Sequence, residues 1–113
     1  MNEKPVQEMM GYDQLPSDLK ARAEAGCAGD INALLEVGDY FWNGPGRGPV
    51  SSSFCAEWWG RAEEMGSVKA TELLRPVRRA TVEMANRMRG RFGMSPVTCE
   101  EFFGAETCRK WGL

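Results

Sequence analysis

The chain has 113 residues, of which 42% are hydrophobic and 27% charged, and this excludes the polar, highly charged composition of a disordered protein. Fourteen basic and sixteen acidic residues leave a net charge of −2, so charge alone gives no reason to expect general nucleic-acid binding. Histidine is absent, which removes the commonest general base and every Ser-His or Cys-His nucleophile pair. We therefore expect one small domain that is not an enzyme.

The cysteines are isolated along the chain, without any CxxC spacing, so a zinc site would need distant thiols to converge. The first residues lack the apolar core of a signal peptide, and no apolar run is long enough to cross a membrane. We therefore predict a cytoplasmic protein with reduced thiols and with neither a metal nor a cofactor. Arg109 and Lys110 follow Cys108 and are expected to lower its pKa slightly. The four cysteines are Cys27, Cys55, Cys99 and Cys108.

The elements predicted along the chain are all helical. Residues 1–16 are polar and predict an N-terminal arm, either flexible or docked in an extended form, before a single helical domain over 17–113. Pro76 predicts a kink or a restart in a long helical segment, and the glycine- and proline-rich stretch 43–49 predicts a loop. No stretch alternates with the period of a strand, so the fold class is all-α. The predicted helices cover 17–25, 30–42, 54–65, 68–92 and 95–111.

The sequence contains an internal repeat with a period of 37 residues. A glycine ends one helix, an alanine four residues later permits close packing of the next, and an aliphatic residue follows one turn on. Periods of this length are typical of helical repeat arrays. The matched positions are Gly29, Ala33 and Val37, then Gly66, Ala70 and Leu74.

Around this repeat the chain resembles the Sel-one-like repeat, a relative of the tetratricopeptide repeat. Val37 stands for the leucine of the family pattern, Phe41 for its tyrosine and Trp59 for its second aromatic residue, whereas Glu63 replaces an alanine. The resemblance covers about residues 19–75 and implies a helical hairpin, a fragment of an α/α solenoid, with its core at 29–74 and capping helices at 76–111. The segments that carry it are Gly29-Asp30-Ile31-Asn32-Ala33, Val37-Gly38, Phe41, Gly44-Pro45-Gly46 and residues 56–66.

Two aromatic clusters provide candidate contacts with a partner. Trp58 and Trp59 are adjacent on a predicted helix, so their side chains point about 100° apart. Trp58 is predicted in the core, which leaves Trp59 as a candidate for partial exposure. In the other cluster Phe41 is predicted in the core, with Tyr40 and Trp42 beside it on other faces.

The segment 75–92 has two contrasting faces. Residues 1–72 carry six basic and twelve acidic side chains, net −6, whereas residues 73–113 carry eight basic and four acidic, net +4. Arginines suit bidentate contact with carboxylate or phosphate, although a solvated face paired with the acidic half is the alternative. The apolar stripe consists of Val77, Thr81, Met84, Met88 and Phe92, with Arg87 and Arg91 at its sides. The opposite side, which we name the arginine face, consists of Arg75, Arg78, Arg79 and Arg89.

Together these features predict a protein–protein interaction module that binds an acidic protein surface through Tyr40, Trp42, Trp59 and the arginine face. So small a member of the family favours a regulatory, inhibitor or immunity-type subunit of a larger complex, of bacterial or phage origin. One form would be a phage or mobile-element inhibitor of a host defence complex. The alternative function is a nucleic-acid or ribonucleoprotein binder acting through the arginine face. A homodimer formed through Met84, Met88 and Phe92 is also open.

Overall fold

The computed structural model describes residues 4–48 and 51–113. Within these ranges the chain forms α-helices and no strand, which confirms the all-α prediction. Residues 1–3 of the predicted arm and Pro49 of the predicted loop lie outside the described residues. No helix in the described ranges is both long and apolar enough to cross a bilayer. The helices are α1 (Ser17–Cys27), α2 (Ile31–Trp42), α3 (Ser51–Glu64), α4 (Val68–Arg91), α5 (Cys99–Phe103) and α6 (Ala105–Trp111).

Helices α1 to α4 pack each against the next, and the contact between α2 and α3 is the most extensive. Short connections between helices favour such antiparallel neighbours. Apolar residues of α2 recur at helical spacing, and Ala33, Leu34, Val37 and Phe41 are fully buried. The fully buried core side chains include Leu34, Val37 and Phe41 of α2, Cys55, Trp58 and Trp59 of α3, and Leu74 and Val77 of α4.

The turns that precede α2 and α4 share the same backbone hydrogen bonds. Gly29 and Gly66 have φ angles of +129° and +100°, which are positions that favour glycine. Asp30 and Ser67 follow as N-caps, and each side chain accepts from the N–H three residues later. Each of these caps also donates its own N–H, at 3.0 Å, to the carbonyl five residues earlier. The sequence repeat thus corresponds to two equivalent helix starts.

The N-terminal arm is docked on the helices over residues 4–16. Two 3-10 turns, Val6–Glu8 and Tyr12–Gln14, shape this segment. Met9 and Leu15 are only 3% and 4% exposed and belong to the core. Of the two forms predicted for the arm, the structure has the docked one, although it is turned and not fully extended.

Helix α4 continues through Pro76, so the predicted restart at this residue is wrong. Pro76 is exposed, so its ring lies on the solvent side and the missing N–H falls there. Leu74 and Val77, on either side of it, are fully buried. Packing of both halves on the core therefore holds the two parts of α4 in one helix.

The C-terminal segment forms two short helices instead of the single helix predicted over 95–111. Gly104 separates them with φ +95° and ψ 144°, a conformation outside the helical region. Thr98 starts α5 later than predicted, through a capping box with Glu101. Cys99 and Cys108 consequently lie on different helices, and both are free thiols.

Candidate protein-binding surface

The arginine face contacts the chain's own C-terminal residues. Arg75 Nε donates to the Trp111 carbonyl at 2.8 Å. Arg89 Nε donates to the carbonyl of Ser95 at 2.7 Å. The outermost member, Arg79, is exposed and makes a longer contact of 3.4 Å with the carbonyl oxygen of Gly112. These bonds hold the segment that contains α5 and α6 against α4.

Arg78 is the most engaged member of the arginine face. It donates to both carboxylate oxygens of Glu63, at 3.0 and 2.7 Å, in the bidentate geometry that arginine favours. Its guanidinium carbon lies 3.4 Å from the ring centroid of Trp111, as a cation–π contact. Burial tends to raise the pKa of Glu63, but hydrogen bonds from Arg78 and Thr71 and the charge of Arg78 hold it below its usual value. Glu63, which departs from the repeat pattern, thus anchors the C-terminal helix.

Trp59 is 1% exposed, so the expected partial exposure of this residue is wrong. Its indole Nε1 donates to the carbonyl of Leu35 at 2.9 Å, and the ring lies directly over Gly38. Because Gly38 has no side chain, α2 and α3 approach closely enough for the whole ring to enter the core. Trp58 is also fully buried, as predicted.

The aromatic residues at the end of α2 divide into core and surface. Tyr40 is half-buried and meets Phe41 edge-on, with the ring centroids 5.3 Å apart. Trp42 is half-buried too, and Arg47 lies over its ring at 5.2 Å while donating to the Trp42 carbonyl at 2.9 Å. Arg47 was not among the predicted contact residues, because its place in a glycine-rich loop gives no periodic signal. Trp42 and Arg47 together form one wall of the surface described next.

The apolar stripe of α4 continues from the core onto the surface. Val77 is fully buried, whereas Met84, Met88 and Phe92 are 48%, 55% and 79% exposed. With 24 residues α4 is about 36 Å long, whereas α3, with 14, reaches about 21 Å. The distal part of α4 therefore extends beyond the hairpin. We name this exposed surface the α4 ledge, and it consists of Ala80, Met84, Arg87, Met88, Arg91 and Phe92.

Two shallow cavities lie along the α4 ledge and share Met84 and Arg87. The first has a volume of about 180 Å³ and is bounded by the Trp42–Arg47 wall, the start of α3 and Ala80. The second has about 330 Å³ and runs on along Met88 and Arg91. Because the two cavities share the Met84 and Arg87 side chains they lie next to each other, and we refer to them together as the groove.

The groove is cationic. Three guanidinium groups, those of Arg47, Arg87 and Arg91, line it. Among the residues that the structure describes, no carboxylate lines either cavity. Within the same ranges, the Arg87 and Arg91 side chains have no ion pair or hydrogen bond, in contrast to those of the arginine face. The sequence pattern already places Arg87 and Arg91 beside the apolar stripe, but it does not show that their side chains, unlike those of the arginine face, make no ion pair or hydrogen bond with the described residues.

Two of the four thiols, those of Cys55 and Cys108, are buried. Burial raises the pKa of Cys55 and of Cys108, so the expected lowering at Cys108 by Arg109 and Lys110 is wrong. Cys108 is 1% exposed, while both basic neighbours are exposed and point to solvent. Over residues 4–48 and 51–113, no group of three or more Cys, Asp or Glu side chains is placed to hold a metal ion.

The fold and the ledge define a small helical bundle with an exposed apolar and cationic groove. In comparisons with protein-family models, curated proteins and solved structures, nothing matches this chain. The resemblance to the Sel-one-like repeat therefore stays a prediction that depends on the residues quoted for it.

Proposed function

We propose that the protein is a non-enzymatic interaction module that binds another protein through the α4 ledge, as a small regulatory or inhibitor subunit. The observation that carries the proposal is the row of exposed Met84, Met88 and Phe92 side chains, flanked by the unpaired Arg87 and Arg91. Contiguous exposed apolar residues with a polar rim are typical of interaction sites. Methionine, aromatic residues and arginine are also the types enriched at protein interfaces.

The position of the ledge supports this function because the fold does not need the exposed side chains. The opposite side of α4 is tied down by Asn86, whose amide exchanges two hydrogen bonds with the backbone of Val97, at 2.9 and 2.8 Å. Helix α4 is thus held by contacts on the side opposite the ledge and by the packing of its first half on the core. This leaves the ledge as a rigid, preorganised surface, which lowers the entropy lost on binding.

The nucleic-acid alternative has weaker support. It depended on the arginine face, and all four of those side chains contact carbonyls or Glu63 within the chain. The remaining cations of the ledge lie beside a row of two methionines and one phenylalanine, whereas single-stranded nucleic acids are bound on rows of aromatic side chains.

Site-specific crosslinking in the producing cell tests the proposed function. A photoreactive amino acid replaces Met88, and in the control it replaces Glu24, which is exposed on α1. We expect a discrete heavier protein adduct from position 88 and none from position 24. The proposal is contradicted if position 88 gives no adduct beyond the control, provided that circular dichroism shows both proteins folded. An adduct with nucleic acid, or with a second copy of the chain, would contradict it too.

A further inference from the structure

We propose that the segment bound on the α4 ledge is an acidic amphipathic helix of the partner protein, with apolar residues facing Met84 and Met88 and carboxylates facing Arg87 and Arg91. This inference rests on the proposed function and adds the chemistry of what is recognised.

The shape of the groove fits a helix. Met84, Met88 and Phe92 recur every fourth residue, and from the first to the last the row extends about 12 Å along α4. A helix laid in such a groove meets it with anchors at i, i+3 or i+4, and i+7. The ledge presents only side chains of a helix whose backbone groups are already paired, so it offers no strand edge to an extended peptide. The Trp42–Arg47 wall bounds the groove at the core end.

The charge of the groove selects an acidic helix. On a helical projection Arg87 and Arg91 lie on one side of the methionine row, and the cavity that Arg87 shares with Arg47 lies on that side too. No carboxylate of the described residues lines these cavities, and Arg87 and Arg91 are free to meet carboxylates of a partner, while Arg47 adds its positive charge at the Trp42–Arg47 wall. The bound helix should therefore carry Asp or Glu along one flank of its apolar stripe. A basic or neutral helix would leave like charges or unpaired cations at the contact.

A second copy of the chain does not supply this helix within the described residues. The segment with the right composition is α5, where Glu100 and Glu101 precede Phe102, which is 44% exposed. Yet α5 has five residues, little more than one turn, and cannot reach along the whole row. The apolar side chains of α2 and α3 are held in the core. The occupant is therefore assigned to a different protein.

The test uses a display library of 16-residue peptides with helix-favouring residues, selected on the full chain. We expect enriched peptides to carry apolar residues at i, i+4 and i+7, with Asp or Glu along one flank. A synthetic, labelled copy of the most enriched peptide is then titrated by fluorescence anisotropy. Replacing Met88→Ala should weaken its binding about tenfold, the loss typical of a central interface residue. The double variant Arg87→Glu with Arg91→Glu should weaken binding at least tenfold.

The matched control is Lys69→Glu with Arg109→Glu, which makes the same change in net charge at exposed positions away from the ledge. Binding to this variant should stay within about twofold of the wild type. Thermal unfolding verifies that each variant is folded. If the double variant Arg87→Glu with Arg91→Glu does not fold, the double variant Arg87→Gln with Arg91→Gln replaces it in the titration. A loss that the control shares would overturn the proposal, because it would show a general effect of charge.

Three further results would overturn the inference. One is enrichment of peptides without acidic residues, or no enrichment at all. Another is tighter binding of a labelled single-stranded oligonucleotide than of the selected peptide, abolished by the same Arg87 and Arg91 variant. The third is a dimer in light scattering that Met88→Ala converts to a monomer. If crosslinking from position 88 still captures a protein while peptide selection fails, the interaction module stands and the acidic helix does not.

Discussion

The contact between Trp59 and Gly38 decides how closely α2 and α3 approach each other. The indole occupies the space where any other residue at position 38 would place its Cβ, and its N–H is paired with the carbonyl of Leu35 at 2.9 Å. A buried indole N–H without a partner costs free energy. The buried position of the Trp59 ring therefore depends on its hydrogen bond with the Leu35 carbonyl. The sequence pairs an aromatic residue with a glycine but cannot show that the two meet across the hairpin.

Replacing Gly38→Ala should therefore destabilise the fold. The added Cβ would collide with Nε1 and Cδ1 of Trp59, and overpacking of this kind costs about 1–3 kcal/mol in the free energy of unfolding. Gly60→Ala is the control, because it is also within a helix but its Cβ would meet nothing within 4 Å. That variant should gain about 0.5–1 kcal/mol from helix propensity. Urea denaturation measures both, and equal effects of the two variants would contradict the packing argument.

Glu63 predicts a specific dependence of stability on pH. Its hydrogen bonds with Arg78 and Thr71 hold its pKa in the folded chain below the usual value, which is about 4.3 in an unfolded chain. The unfolded chain thus binds this proton at a higher pH than the folded chain. The stabilisation is present above about pH 4.3 and is lost as the pH falls through the lower, folded-state pKa.

Urea denaturation between pH 7 and pH 3 checks this prediction. Glu63→Gln should reduce stability at neutral pH and flatten the loss toward low pH, since the amide does not titrate. Glu64→Gln, which changes the exposed neighbour, should give a curve parallel to the wild type. A Glu63→Gln curve parallel to the wild type would instead show that the carboxylate contributes no pH-dependent stability.

At the scale of elements, the sequence predicts the four helices of the bundle well and the C-terminal helices less well. Apolar spacing locates α2, and the caps Asp30 and Ser67 locate the starts of α2 and α4. The break predicted at Pro76 is wrong because it rests on local propensity, whereas the buried residues on both sides of Pro76 keep α4 one helix. The late start of α5 had a signal, Thr98 with Glu101 three residues on, which is a capping-box spacing.

Helix α6 is expected to open locally more often when the side chain of Arg78 is removed. Arg78→Ala deletes the bidentate pair with Glu63 and the cation–π contact with Trp111. Only the contact with Trp111 joins Arg78 to α6, so its loss should lower the opening free energy of α6 by about 1–2 kcal/mol. Hydrogen exchange of residues 105–111 should then be about 5- to 30-fold faster, with the exchange of α2 unchanged.

Arg109→Ala is the control for this measurement, because Arg109 lies exposed on α6 itself. Its amide exchange should match the wild type. If Arg78→Ala left the exchange of α6 unchanged, the arginine face would not hold the C-terminal helices, and it would return as a candidate surface for a partner.

At the scale of the whole molecule, the sequence predicts how charge is distributed along the chain, but it does not predict which charged side chains remain available to a partner. The basic excess of residues 73–113 is plain in the sequence, and helical periodicity points to the arginine face as the site for a partner. Contacts between distant segments change this assignment: Arg78 meets Glu63 and Trp111, while Arg87 and Arg91 line the cavities of the α4 ledge. The candidate surface therefore follows from the lengths of α3 and α4 and from where the chain end folds back.

The N-terminal arm is a second long-range contact that composition does not reveal. Two features of residues 4–16 belong to the core rather than to a polar tail: the buried Met9 side chain, 3% exposed, and the Met10 carbonyl, which accepts from the Trp58 indole at 2.8 Å. Met9 also lies against the thiol of Cys27, with the sulfur atoms 3.5 Å apart. The arm thus closes the side of the bundle that the hairpin leaves open.

The matched pair Met9→Ala and Met10→Ala tests this role of the arm within two adjacent residues. Truncating the buried Met9 should cost about 2–4 kcal/mol in the free energy of unfolding, as for other large-to-small changes in a core. Met10 is 40% exposed and contributes its backbone carbonyl, so its truncation should change stability by less than about 0.5 kcal/mol. Urea denaturation monitored by tryptophan fluorescence measures both. Equal, small effects would mean that the bundle is complete without the arm, whereas the expected difference makes the arm part of the folding unit.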